Sequence, residues 1–171
     1  MIEEYLGQAL DQVDLGPDVL EVGPGPGFTT DILRHKTKSL TAVEIDPALF
    51  DSLSERLAKS NVQVLLGDAT ALELPDDFFS AATSFHMLHH VPTLDAQQRV
   101  LAELARVLRP GGLLVAADSG YSKDTHLFHQ DDIYNPIEPD ILPDRLAAVG
   151  FTSVDVQRYD LHRWICTARA A

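Results

Sequence analysis

The chain has 171 residues, the length of one domain, and a 45% hydrophobic composition leaves enough apolar side chain for a real core. Acidic residues outnumber basic ones 26 to 13, a formal charge of −13 that repels a DNA or RNA backbone and disfavours nucleic acid as a partner. The single cysteine, Cys166, rules out an intrachain disulfide, and no apolar run is long enough to span a bilayer.

In chain order, Ile2, Tyr5, Leu6, Ala9, Leu10 and Val13 recur at helical spacing and predict an amphipathic helix within residues 1–15, stopped by Gly16-Pro17. Val19 to Val22 reads as a first strand, a glycine-rich turn follows, and a helix runs to about His35. Leu40 to Ile45 is a second strand. Asp46-Pro47 then caps a helix whose buried stripe is Leu49, Leu53 and Leu57. Val62 to Leu66 and Phe78 to Phe85 read as strands three and four, and Asp95 to Leu108 as a helix ended by Arg109-Pro110-Gly111-Gly112. Leu113 to Ala117 is nearly all apolar, as expected of a strand covered on both faces. Residues 119–143 are rich in Asp, His, Tyr and Pro with little periodicity, the character of a functional loop such as a lid. A short helix from Arg145 to Val149 and two strands, Val154 to Tyr159 and Trp164 to Ala168, close the chain as an antiparallel pair. Cys166 lies in that last strand and reads as a small core hydrophobe. Alternating strands and helices require a doubly wound α/β sheet, here one domain over residues 1–171. No cationic, apolar signal segment opens it, so the cytoplasm is the expected compartment.

The segment Asp18-Val19-Leu20-Glu21-Val22-Gly23-Pro24-Gly25-Pro26-Gly27-Phe28 carries the strongest chemical signal. A strand ends in an acid, and glycine at every second position lets a ligand lie against the main chain. A dinucleotide fingerprint would need glycine where Phe28 stands. Glu21 at the mouth suits an ammonium or sulfonium ligand better than a pyrophosphate. Glu44 closes strand two about twenty residues later, where this fold places an acid for both ribose hydroxyls. A strand-end glutamate is otherwise a solvated residue or a helix cap, and Asp46 is the better cap. Asp68, after Gly67, can accept from an adenine amino group while the Ala69 amide reaches a ring nitrogen; it can also be an ordinary turn aspartate.

Together these motifs resemble those of the class I S-adenosylmethionine-dependent methyltransferases. Leu108-Arg109-Pro110-Gly111-Gly112 is similar to that family's segment before strand five. The resemblance covers roughly Val19 to Ser119. It implies a Rossmann-like sheet of seven strands in the order 3-2-1-4-5-7-6, with the last strand antiparallel. It also implies S-adenosylmethionine as cofactor, with S-adenosylhomocysteine as its product, at a site formed by Glu21, Gly23, Gly25, Gly27, Glu44, Ile45, Asp68, Ala69 and Ser84.

Strand four ends Ser84-Phe85-His86-Met87, without the amide–proline–aromatic signature of enzymes that methylate nucleobase or glutamine amino groups. Elsewhere the motifs are similar to those of the ribosomal-RNA adenine dimethylases. Leu88-His89-His90-Val91 looks instead like the small-molecule methyltransferases, so a small-molecule methyl acceptor is expected. The alternatives are an RNA or protein acceptor on the same fold, or a cofactor-binding regulatory module without turnover. His86 and His126 are the candidate general bases, with His89, His90 and His129 nearby; each has packing or capping as its plain alternative. Spacings His86-x-x-His89 and His126-x-x-His129 fit a metal, but the carboxylates or cysteines to complete a site are lacking, and none is expected. Tyr121, Phe128 and Tyr134 are candidates to line the acceptor pocket.

Overall fold

A computed structural model describes residues 2–128 and 133–171, and its sheet follows from the alternation of apolar strands with amphipathic helices. Helix α1 (Ile2–Asp11) leads into β1 (Asp18–Val22), α2 (Phe28–Leu33), β2 (Ser39–Glu44), α3 (Pro47–Leu57) and β3 (Val62–Leu66). Then come β4 (Phe79–Phe85), a 3₁₀ turn at Leu88–His90, α4 (Leu94–Val107) and β5 (Leu108–Ser119). Short helices α5 (Lys123–Phe128) and α6 (Leu142–Ala147) precede β6 (Phe151–Arg158) and β7 (Arg163–Ala170). The sheet order is β3-β2-β1-β4-β5-β7-β6, with β7 antiparallel to both neighbours. The order implied by the family resemblance is therefore the order observed.

Strands β1, β4 and β5 feed both layers of the core. Leu20, Val22, Ala82, Leu114 and Ala116 pack with Val100, Leu101 and Leu104 of α4 and with Leu142 and Leu146 of α6. Their alternate neighbours Val19, Ala81, Val115 and Ala117 pack with Leu6 and Leu10 of α1 and Leu33 of α2. Strand β4 is buried along its whole length, as a central parallel strand must be. Helix α3 starts as expected: Asp46 caps it through Ala48 N and Leu49 N, and Pro47 takes the first turn, where its missing N–H is not needed. Leu53 and Leu57 are buried, whereas Leu49 is only half-buried.

Four elements differ from the sequence reading, among them β6, which begins at Phe151 rather than Val154. Strand β5 begins at Leu108, because the chain pairs with Phe79 immediately after α4 and a register shift absorbs Arg109-Pro110-Gly111-Gly112. Helix α6 begins at Leu142 rather than Arg145, since Pro143 sits inside its first turn and not before it. Residues 119–143 are not a plain loop: α5 lies within them.

The one tryptophan, Trp164, is fully buried, and its ring nitrogen donates to Ile137 O at 2.9 Å. Trp164→Ala should therefore cost about 3–5 kcal/mol in urea unfolding followed by circular dichroism. Trp164→Phe keeps much of the volume but orphans a buried carbonyl, and should cost about 1–3 kcal/mol. A loss below about 1 kcal/mol for the alanine variant would contradict this account of the β7 layer.

Candidate active site

The carboxyl ends of β1, β2 and β4 meet at the glycine turn, and hydrogen bonds from the main chain shape it. Gly23 N donates to Val43 O at 3.0 Å, and Gly27 N to Pro24 O at 3.0 Å. Gly23 has φ +67, and a Cβ there would lie 2.2 Å from Met87 Cγ, so only glycine lets these segments approach. Gly25 has φ +55 and nothing within 4 Å of its missing Cβ, which leaves open space above the turn.

Glu44 is 4% exposed and fastens this turn to the end of β2. Its Oε2 accepts from Gly25 N at 3.0 Å, while Oε1 accepts from Ile45 N and Asp46 N, both at 2.9 Å. Glu44 is thus neither a solvated residue nor the cap of α3. Ile45 beside it is 66% exposed over the groove.

Two further expectations are corrected. Glu21 is not at the mouth: it is 1% exposed, beneath the turn, and its carboxylate accepts from the hydroxyls of Thr29 and Thr30. Burial pushes its carboxyl up to about 7; the two threonine hydrogen bonds oppose this, and the charges of Asp31 and Glu44 add to it. Ser84 is 1% exposed and pairs in register with Val22 and Ala116, so its side chain lies inside the sheet layer, where Oγ has no hydrogen-bond partner. Neither residue lines the groove, because strand alternation turned both side chains into the core layers.

The groove has two lobes that share Gly23, Ile45, Met87 and His90. One lobe, of about 490 Å³, reaches Asp68, Ala69, Thr70 and Arg99. The other, of about 630 Å³, runs along the glycine turn to Glu44 and is closed by Leu6, Phe28, Leu49 and Phe85 beside His86. Both volumes fall in the range of small-ligand sites. Asp68 Oδ1 accepts from Thr70 N at 2.8 Å, a tight turn that holds the carboxylate at the rim.

The histidines separate into distinct settings. His86 lines the second lobe with φ +52, a left-handed backbone for a non-glycine residue, and its N–H donates to Ala117 O at 2.8 Å. Burial lowers its imidazole below the ordinary value, with Asp118 opposing, which favours the neutral ring. His89 turns inward: its Nδ1 lies 2.5 Å from Asp118 Oδ1, and both side chains are buried. Asp118 also accepts from His89 N at 3.2 Å and Ser119 N at 2.7 Å. The sequence reading missed Asp118, although an acid at the carboxyl end of an apolar strand was a signal for it. His126 stands exposed on α5, its ring 6.0 Å from that of Tyr121 and 5.9 Å from that of Tyr134, and it lines neither lobe. The structure therefore brings His86 to the groove and leaves His126 outside it. His129 and the Phe128 side chain lie outside the described residues. Among the described residues no three His, Cys, Asp or Glu side chains gather to hold a metal ion. Burial pushes the Cys166 thiol up to about 12, in keeping with a core position.

A model of the family described as "Methyltransferase domain" matches residues 20–116. Over 109 residues the chain is 38% identical to the probable ribosomal RNA small subunit methyltransferase A of Pyrobaculum aerophilum, covering 58% of this chain and 47% of that one. It is 30% identical over 142 residues to a probable S-adenosylmethionine-dependent methyltransferase of Mycobacterium tuberculosis, covering 80% and 49% respectively. With the malonyl-acyl-carrier-protein O-methyltransferase of Serratia marcescens it shares 33% identity over 100 residues, 58% of this chain and 37% of that one. The chain spans under half the length of each of these relatives. Among solved structures, the YcgJ protein of Bacillus subtilis superposes with a TM-score of 0.80 at 14% identity, covering 98% of both chains. A structure described as a DhpI–SAH complex gives 0.78 at 23% identity, covering 99% of this chain and 87% of that one. These structural likenesses show the fold.

The buried Glu21 makes stability depend on pH. Its folded-state value lies above the ordinary carboxyl value of 4.5, so the native state holds a proton that the unfolded state releases. Its contribution is complete below about pH 4.5 and is lost as pH rises through about 7. Unfolding midpoints across this window should fall for the wild type relative to Glu21→Gln. Parallel curves for the two proteins would show that Glu21 is ionised throughout.

Proposed function

The chain belongs to the methyltransferase domain family, the kind that draws its methyl group from S-adenosylmethionine, and on that premise we propose that it methylates a small-molecule acceptor at the lobe facing His86. The observation that carries this reading is the groove itself. Glycine main chain, Glu44 and the Asp68–Ala69 turn border one continuous space, and its acceptor-side wall is apolar.

The residues present fit the cofactor. The open space above Gly25 is a cradle that a Cβ would fill, and the groove has room for both cofactor and acceptor. We place the adenosine end in the lobe of Asp68 and Ala69, and the amino-acid end along Gly23, Gly25 and Gly27. Glu44 Oε2 accepts only one main-chain hydrogen bond and keeps a lone pair for a ribose hydroxyl. Asp68 has Oδ2 for an exocyclic amine beside the Ala69 amide. When bound, the sulfonium supplies an activated methyl group for in-line displacement, so positioning in a dry pocket carries most of the catalysis. His86, at the groove wall with burial favouring its neutral ring, takes the proton that an acceptor O–H or N–H gives up. Leu6, Phe28 and Phe85 give that lobe an apolar wall. The region 119–143 is proposed as the acceptor-side lid.

An RNA acceptor is the second reading, favoured by the similarity to the archaeal ribosomal-RNA relative. Against it stand the formal charge of −13 and the Ser84-Phe85-His86-Met87 segment, which offers no amide–proline–aromatic platform for a flipped base. Turnover with a small-molecule panel beside ribosomal RNA separates the two. Methylation of the RNA alone overturns the small-molecule reading.

Calorimetry should show S-adenosylhomocysteine binding near micromolar affinity, about −8 kcal/mol, with no binding of nicotinamide dinucleotides. Glu44→Ala should weaken that binding by roughly 1.5–3 kcal/mol, since charge-assisted hydrogen bonds are lost. It should also lower the melting temperature, because Gly25, Ile45 and Asp46 all lose their acceptor. Unchanged affinity would remove Glu44 from the cofactor site.

For an acceptor that must lose a proton, His86→Ala should slow transfer by about 10²-fold while S-adenosylhomocysteine affinity stays within about threefold. His126→Ala should leave the rate near wild type, in line with its place outside the groove. Equal rates for all three proteins would mean that positioning alone carries the reaction.

A further inference from the structure

The glycine turn has no side chain of its own long enough to fix it, so groups reaching it from elsewhere set its shape. Arg56, in the last turn of α3, is one of them. Its Nη2 donates to Pro26 O at 3.2 Å, and its Nη1 donates to Asp31 Oδ2 at 2.6 Å. Asp31 stands in the first turn of α2 and accepts from Arg34 Nε at 3.1 Å as well. One guanidinium therefore joins the end of the turn to the start of the helix that follows it.

The contact with Gly27 is close. A Cβ at Gly27 would lie 2.3 Å from Arg56 Nη2 and 2.6 Å from Leu53 Cδ2, and the residue has φ +91. Gly27 is the N-cap of α2 and supplies no side-chain cap, so Arg56 and Asp31 hold this end from the α3 side, while Thr29 and Thr30 hold it to Glu21 beneath. Partial burial raises the Asp31 carboxyl, but the hydrogen bonds and charges of Arg56 and Arg34 outweigh it and keep the group below the usual carboxylate range. The planar fork matters here: a guanidinium serves a carbonyl and a carboxylate at once, which an ammonium on a flexible stem does less well. Both members of the Arg56–Asp31 pair are about 40% exposed, so the pair itself adds little to global stability. Its effect is local.

We propose that Arg56 is a positioning residue for the cofactor, holding Pro26 and the first turn of α2 so that the glycine turn keeps the shape that seats the amino-acid end of S-adenosylmethionine. This rests on the placement of the cofactor proposed above. Two ligands read the effect: S-adenosylhomocysteine, which has the amino-acid end, and 5′-methylthioadenosine, which lacks it.

By calorimetry, Arg56→Met should weaken S-adenosylhomocysteine about tenfold and 5′-methylthioadenosine by less than about twofold. Arg56→Lys should fall between wild type and Arg56→Met. A merely structural role would weaken both ligands equally, and that result overturns the proposal, as does unchanged S-adenosylhomocysteine affinity. Should Arg56→Met fail to fold, Asp31→Asn and Arg56→Lys provide the same two-ligand comparison. An Asp68→Ala variant keeps this test separate from the placement itself. Loss of both ligands there upholds the placement, so an unmoved Arg56→Met then overturns the role of Arg56 alone.

Discussion

Glu44 gathers three main-chain N–H groups from two different loops: Gly25 from the turn after β1, and Ile45 and Asp46 from the turn after β2. A buried carboxylate with too few donors would be costly, so these bonds bind the two loops into one rim. The geometry is set from the sheet side as well, because Gly23 N reaches Val43 O and extends the β1–β2 pairing into the turn. Parallel strands end side by side only where their register matches, and Val22 opposite Val43 brings Glu44 level with Gly23. The groove exists because that register and that carboxylate agree.

The other half of the site is held by a different device. After β4 the chain turns at His86 in a left-handed conformation, which costs energy unless the surroundings fix it. Asp118 at the end of β5 accepts from His89 twice, through ring and main chain, and so ties the 3₁₀ turn to the sheet. Gln97, fully buried in α4, donates to Leu88 O and to Asn135 O, and accepts from Arg145 at 2.9 Å. Asn135 N in turn donates to His89 O at 2.7 Å. These bonds stitch Asn135 and α4 to the turn that carries His86. The glycine-turn half of the groove is thus shaped by main chain and glycine, and the half after β4 by a buried side-chain network.

What could be read in the sequence follows the range of the forces involved. Most strands, the Asp46–Pro47 cap, the glycine turn and the position of Glu44 at the end of β2 rest on neighbours within a few residues and were legible, whereas the tie from Glu44 to Gly25 was not. Glu21 and Ser84 were misplaced because strands buried on both faces show no alternation of polarity, so the pattern does not say which way each side chain turns. Helix α6 was begun late because a proline reads equally as a loop's end or a helix's first turn. His89 with Asp118, and Arg56 with Pro26, join residues 29 and 30 positions apart, a separation at which no local signal operates.

The same division explains why the sequence names the cofactor more readily than the acceptor. A nucleoside with fixed hydroxyls and a fixed base edge demands donors and acceptors at set strand ends, and the motifs record that demand. Methyl transfer from a sulfonium demands little beyond alignment and the exclusion of water, so the acceptor lobe is free to vary in its groups. The lobe beside His86 presents Leu6, Phe28, Leu49 and Phe85 with two imidazoles, His86 and His90, beside the tethered Glu44 and the helix-capping Asp46. Among the described residues neither lysine nor arginine lines it, so the lobe offers a phosphate no cation in place of its hydration.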